Sequence, residues 1–199
     1  TVVIHPQLGR LEISSDAIKP KEEPPAWSST VSAGVIAVGE DGDDSMTLSM
    51  NASSTYRKDA DKLVMKGGMN YKTSRDKGES FGVDTEKGSA SIRYDHELNE
   101  TVNFFTSGSY DYNALNDVSI NTLKGAFGAG FPVIKNETTE LVLSVGPALQ
   151  WSEGGRDCDG DEFCGNTYPG GTFTTQLNWM PNPSFKFNLD NNLSVLATD

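Results

Sequence analysis

The residues best placed to do chemistry lie in one acidic loop. Asp157-Cys158-Asp159-Gly160-Asp161-Glu162 sets carboxylates at alternate positions, an oxygen cluster of the kind calcium takes. The order departs from the helix-loop-helix calcium loop: glycine precedes the third Asp, and no distal Glu follows at the required place. Cys158 and Cys164, the chain's only cysteines, stand in the same polar stretch. A close pair in such a loop reads as a disulfide formed in an oxidising compartment. The plain reading is therefore a solvated acidic loop stapled by Cys158–Cys164. The alternative is weak calcium binding by Asp157, Asp159 and Asp161, and no other cofactor is expected.

Other candidates fail their context. Glu40, Asp41, Asp43 and Asp44 form a second acidic tip, which reads as a solvated hairpin loop. His5 and His96 fall in different units, and the carboxylates beside His96, Asp95 and Glu97, alternate to the opposite face of a strand. No strained strand-to-helix turn presents a serine nucleophile. Gly125, Gly128 and Gly130 lie inside a strand pattern and open no helix, so they relieve crowding or allow a bend rather than cradle phosphate. Asn51, Asn99, Asn136 and Asn192 each begin an Asn-x-Ser/Thr triplet. Such triplets arise by chance in a chain rich in these residues, and no role is assigned to them. The expectation is a protein that is not an enzyme.

Composition points the same way. The 199 residues suit one domain with a small appendage. A net charge of −12 repels phosphate backbones, so no nucleic acid is expected as a partner, and an anionic lipid surface is no better. No apolar run approaches the length of a membrane-spanning helix. The sequence opens on Thr1 rather than Met, and the expectation is an exported protein whose N-terminal segment has been removed.

What positions these loops is a run of strands. Trp27 to Gly39 is small, apolar and hydroxyl-bearing, and opens a meander. Met46, Leu48, Met50 and Ala52 alternate with Thr47, Ser49, Asn51 and Ser53, a two-faced strand of period two. Leu63, Met65, Met69 and Tyr71 stand against Lys66 and Asn70. Ala90, Ile92, Tyr94 and Leu98 stand against Ser91, Arg93, Asp95 and Glu97. Val102, Phe104, Tyr110 and Tyr112 stand against Asn103, Ser107, Ser109 and Asp111. Runs at Val118–Phe131, Leu141–Trp151, Thr172–Trp179 and Phe185–Val195 continue the series to about nine strands of about ten residues. Pro147 marks an edge or a bulge.

Connections between them alternate in length. Glu40–Ser45, Lys72–Lys87, Asn113–Asp117 and Ser152–Gly171 are medium or long, while Arg57–Asp61, Asn99–Glu100, Lys135–Glu137 and Met180–Pro183 are short. Antiparallel strands send alternate connections to opposite ends. Long loops at one end and short turns at the other are the pattern of an outer-membrane barrel. Aromatics such as Trp27, Tyr56, Tyr71, Tyr94, Trp151 and Trp179 gather near strand ends, as interfacial girdles do and as residues capping a sandwich core also do.

Before the meander, residues 1–19 form a short β-segment and 20–26 a proline-rich linker, PKEEPPA; the barrel domain is 27–199. The segment is either a remnant of a small β-domain or a donor strand carried by Val2, Val3, Ile4, Leu11 and Ile13.

Four stretches carry a resemblance: PPAWSSTVSAGV at Pro24–Val35, YRKDADKLVMKGGMNY at Tyr56–Tyr71, LKGAFGAGFPVI at Leu123–Ile134 and LVLSVGPALQW at Leu141–Trp151. With GRLEISSDAIK at Gly9–Lys19 before them, they resemble the salt-induced outer-membrane protein family of Gram-negative bacteria, whose function is unknown. The resemblance implies an outer-membrane or surface location and a β-barrel, and no reaction or functional residues. Two features depart from it. Gly39-Glu40-Asp41-Gly42 replaces the family's Gly-Asn, and the sequence ends on Ala197-Thr198-Asp199 rather than on an aromatic.

The expected fold is all-β: an antiparallel up-and-down meander of about nine to ten strands forming a β-barrel, incomplete or closed by a neighbouring chain. The expected role is an outer-membrane or cell-surface barrel with acidic loops outward, its partners the lipid bilayer or identical subunits. The rivals are a secreted filament subunit assembled by strand donation and a small soluble ligand-binding barrel.

Overall fold

The computed structural model describes residues 2–5, 9–12, 26–162, 164–182 and 184–197. Eleven strands follow in order: β1 Val2–His5, β2 Gly9–Glu12, β3 Trp27–Glu40, β4 Asp43–Lys58, β5 Asp61–Arg75, β6 Gly82–Asn99, β7 Val102–Asn113, β8 Ser119–Lys135, β9 Thr139–Gly154, β10 Thr167–Asn182 and β11 Phe185–Leu196. Strands β3 to β11 form one nine-stranded antiparallel sheet in simple sequence order, and β1 pairs with β2 in a separate two-stranded sheet. The fold is thus an up-and-down meander curled into an open half-barrel. Among the described residues no helix is long and apolar enough to cross a membrane. Residues 13–25, which include Ile13 and nearly all of the linker, lie outside the described residues.

Alternation along each strand divides the sheet into two unlike faces. Ion pairs on the polar face join strands that are not neighbours. Lys66 on β5 meets Asp190 on β11, and Arg57 on β4 meets Glu140 on β9. Only a concave face brings such residues together, so the polar face is the inside of the curl. The apolar partners point outward: Val31 is 73% exposed, Ile92 50%, Phe127 56%, Leu149 55% and Leu193 59%. Among the described residues the only buried apolar side chains are Phe105, Val142 and Cys164.

Cross-strand register shows how the strands lie. Trp27 at the start of β3 faces Tyr56, then Leu63, Tyr94, Thr106 and Phe127 in turn. At the other side Pro147 faces Gly171, which faces Val195 near the end of β11. A line drawn across the strands therefore climbs from the short-turn end to the loop end. Strands in such an arrangement are tilted to the axis of the curl, as barrel strands are.

Local chemistry builds the turns. The first connection is shorter than expected: β3 and β4 stay paired out to Glu40 and Asp43, leaving only Asp41-Gly42 between them. Both residues have positive φ, 52° and 98°, the conformation of a tight hairpin turn that matches strand twist. Three of the four turns at the opposite end of the sheet open on an asparagine whose side chain binds the backbone ahead. Asn99 Oδ1 accepts from the N–H groups of Thr101 and Val102, each at 2.9 Å. Asn136 Oδ1 accepts from Thr138 at 3.0 Å and Thr139 at 2.8 Å, and Asn182 from Ser184 at 3.0 Å. Asn99-Glu100-Thr101 and Asn136-Glu137-Thr138 are the same tripeptide making the same turn, which is the role the triplets at Asn99 and Asn136 play.

Pro147 lies in an inner strand, not at an edge. The β8–β9 pairing skips from Ala126↔Ala148 to Ala129↔Val145 without a change of register. There the backbones at Gly128 and Gly146 approach so closely that a Cβ on either would collide with the other strand. The proline's missing N–H is accommodated by this interruption, not by a bulge. On the inner side, the ring of Phe105 covers its cross-strand neighbour Gly128. We expect Gly128→Val to destabilise the fold by about 3 kcal/mol or more, measured by denaturant unfolding. Gly125→Ala, which meets open space, should change stability by about 0.5 kcal/mol or less.

Candidate functional site

The concave face brings together polar side chains from all nine strands of the large sheet. It surrounds a cavity of about 790 Å³ whose lining runs from Thr30 on β3 through Lys66, Arg93, Lys124 and Thr174 to Asn192 on β11. Serine, threonine and asparagine fill most inward positions because every second residue of each strand is polar.

Arg93 organises the closed side of this face. Its guanidinium holds the Asp95 carboxylate through Nε at 3.0 Å and an amino group at 2.7 Å. The same group reaches across to Ser144 Oγ on β9 at 3.0 Å and to Thr174 Oγ1 on β10 at 3.1 Å. It also lies 4.4 Å from the ring centroid of Phe105, a cation–π contact. Asp95, Ser144, Thr174 and Phe105 are all buried. An arginine suits this position because its planar fork serves several acceptors while its flat face rests on an aromatic. Beside it, the buried Asn103 Oδ1 has no hydrogen-bond partner and lies against the bare Cα of Gly130.

At the loop end, the β9–β10 connection folds down on the β7–β8 loop. The Asp157 N–H donates to Asp117 O at 2.7 Å, and the Arg156 side chain grips Asp117 Oδ1, with Nε at 3.0 Å. That carboxylate holds the Arg156 pKa above its ordinary value, chiefly through the hydrogen bond. Cys158 and Cys164 are joined in a disulfide, as expected. Asp157, Asp159 and Asp161 do not come together as ligands: among the described residues no three His, Cys, Asp or Glu side chains gather into a metal site. Cys158–Gly160 is a 3-10 turn that contains only Asp159; Asp157 precedes it and Asp161 follows it in an extended conformation, so the three carboxylates do not share one regular turn.

The remaining candidates also find their places. In the first acidic tip, Asp44 pairs with Arg75 at 2.7 Å and Asp43 Oδ1 accepts the Lys77 N–H at 2.8 Å, which ties the hairpin to its neighbouring loop. His96 Nδ1 lies 2.8 Å from Asp61 Oδ1, which also accepts from the Tyr94 hydroxyl at 2.6 Å. Its carboxylate partner comes from the paired strand β5, not from the adjacent Asp95 or Glu97. His5 faces Gly9. Of the donor-strand residues, Val2, Val3 and Ile4 pair with Glu12, Leu11 and Arg10 within the chain's own two-stranded sheet. Both edges of the large sheet, β3 and β11, have no strand beside them among the described residues.

Sequence reasoning missed the Arg93 cluster. The available signal was Arg93 and Asp95, opposite charges two apart on one face of a strand whose other face is apolar. Phe105 carried a second signal, as an aromatic out of step with the alternation of β7.

Fold and face together define an antiparallel half-barrel with a polar inside and an apolar outside. The chain belongs to the protein family of unknown function DUF481, whose model matches residues 37–199. No curated protein matches it.

Arg93→Ala should destabilise the protein by about 3–5 kcal/mol, since it strands a buried carboxylate. Replacing Arg93 and Asp95 together by methionine should cost less than Arg93→Ala alone. Denaturant midpoints of the three proteins check this.

Proposed function

We propose that this chain is a non-enzymatic membrane β-barrel of the bacterial outer membrane, with the convex sheet face against lipid and the concave face lining a lumen. The observation that carries this reading is the inversion of the usual pattern. Large apolar side chains cover the outside of the sheet, and charged and hydroxyl-bearing side chains fill the inside. Lipid-facing and lumen-facing residues alternate in this way in barrels that cross membranes. A soluble ligand-binding barrel would place its apolar side chains inward.

Further features support it. The strands of the large sheet have 12 to 18 residues, more than the roughly 9–11 needed to cross the hydrocarbon core when tilted. Near the short turns, Trp27 packs at a tilt against Tyr56 at 5.0 Å between centroids and Trp179 meets Phe185 edge-on at 5.6 Å. Tyr71, Tyr110, Tyr112 and Trp151 lie toward the loop end. Such bands suit the two lipid–water interfaces. The acidic loops then face outward from the cell, and the disulfide in the longest of them supports an exported, oxidising location. On this reading the resemblance to the salt-induced outer-membrane family reflects the same role. The sheet is closed by further strands or by another chain.

The two open edges favour a second reading, a secreted subunit that joins its copies into filaments by strand addition. Fractionation without detergent separates the two: membrane pellets hold the barrel, sheared extracellular material the filament.

Ile92 and Ser91 are neighbours on opposite faces. In a bilayer, Ile92→Arg should cost about 2–4 kcal/mol and reduce the heat-modifiable folded form on gels, while Ser91→Arg is tolerated. Equal tolerance of both, or folding without detergent, would count against the membrane reading.

A further inference from the structure

Around the cavity in the curl, basic side chains outnumber acidic ones although the chain as a whole is acidic. The protein carries −12 overall, yet six basic residues line the cavity against three acidic ones, Glu137, Glu140 and Asp190, and one of the six, Arg93, is neutralised by Asp95 on the same face. Those carboxylates are already engaged or marginal. Asp190 is held by Lys66. Glu140 is shared by Arg57 at 3.5 Å and Asn178 at 3.1 Å, and Glu137 sits in a turn at the rim. Three lysines remain. Lys62 on β5, Lys124 on β8 and Lys186 on β11 have no carboxylate within salt-bridge distance among the described residues. Lys62 stands beside Arg57 in register, so one carboxylate faces two cations there. Lys62 and Lys124 are half-buried, where an unpaired ammonium is unfavourable.

We propose that this concave face takes small oxyanions, phosphate or sulfate groups, as its ligand class; this rests on reading the face as a lumen and names what enters it. The chemistry fits. Lys124 lies between Ser109 and Gln150 in the cross-strand register, both inward-facing and able to donate hydrogen bonds. An oxyanion needs such a pairing of a cation with neutral donors. Lysines act as hydrated point charges, not as planar forks. In a cavity of about 790 Å³ they attract an anion without gripping it, which suits passage or weak retention. Arg57, Lys62 and Lys186 lie toward the short-turn end, together with the carboxylates of Glu137 and Glu140.

The test is titration of the folded full-length protein with inorganic phosphate at low ionic strength, followed by calorimetry. Binding should appear, should weaken as potassium chloride is added, and should weaken about tenfold in the triple variant Lys62→Gln, Lys124→Gln, Lys186→Gln. The corresponding Lys→Arg variant should retain it. Heat-modifiable gel mobility confirms that each variant is folded. Absence of phosphate heat, equal affinity in the glutamine variant, or loss in the arginine variant would overturn the proposal. A protein that folds without detergent would overturn the membrane reading instead, and the same titration on that form still decides the anion question.

Discussion

The antiparallel backbone ladder is the interaction on which the rest of this structure depends. With only Phe105, Val142 and Cys164 buried among the apolar side chains of the described residues, these strands have almost no core of the usual kind. What organises it is hydrogen bonding from strand to strand, long and nearly unbroken through nine strands. Such a ladder is worth little net in water, where its groups bond solvent equally well. In hydrocarbon the same groups have no other partner, and such a ladder becomes the condition of existence. On the proposed membrane reading, the exposed apolar side chains and the reliance on backbone bonding are two consequences of one setting.

On the inside, polar contacts take over the work that apolar packing does elsewhere. Arg93 ties β6 to β9 and β10 and caps Phe105, which in turn covers the bare backbone at Gly128. Removing side chains from β8 and β9 lets their backbones close together, and a ring from β7 fills the space left over. On the opposite side, the Lys66–Asp190 and Arg57–Glu140 pairs span the hollow. The curl is thus held by one dense cluster and a few struts across open space.

Much of this was legible in the sequence, and the reason is the period of a strand. Alternation at Met46–Ala52 or Leu63–Tyr71 needs no knowledge of neighbours, so strand number, the two faces and the sheet order of a simple meander followed from local pattern. What escaped depends on partners distant in sequence. Arg93 is an ordinary strand residue until β9 and β10 arrive. Asp61 becomes the partner of His96 only through pairing across β5 and β6. Pro147 looked like an edge signal because its compensation lies at Gly128 in another strand. The repeated Asn-Glu-Thr was visible but read as chance, since its meaning lies in backbone bonds two and three residues ahead.

The oblique rows that run from Trp27 toward Val195 make the sheet a ramp. Each strand is laid down at a height fixed by the one before it, so by β11 the bonding edge has risen from the turn level to the loop level. On the proposed reading, whatever completes the wall must join at that height. A flush partner would leave bonding groups overhanging at both ends, and a slip of one residue would turn its apolar side chains into the hollow. The ramp therefore selects its last strand by altitude as well as by alternation, and the pitch of a winding, set at the first hairpin, decides what can seal the wall.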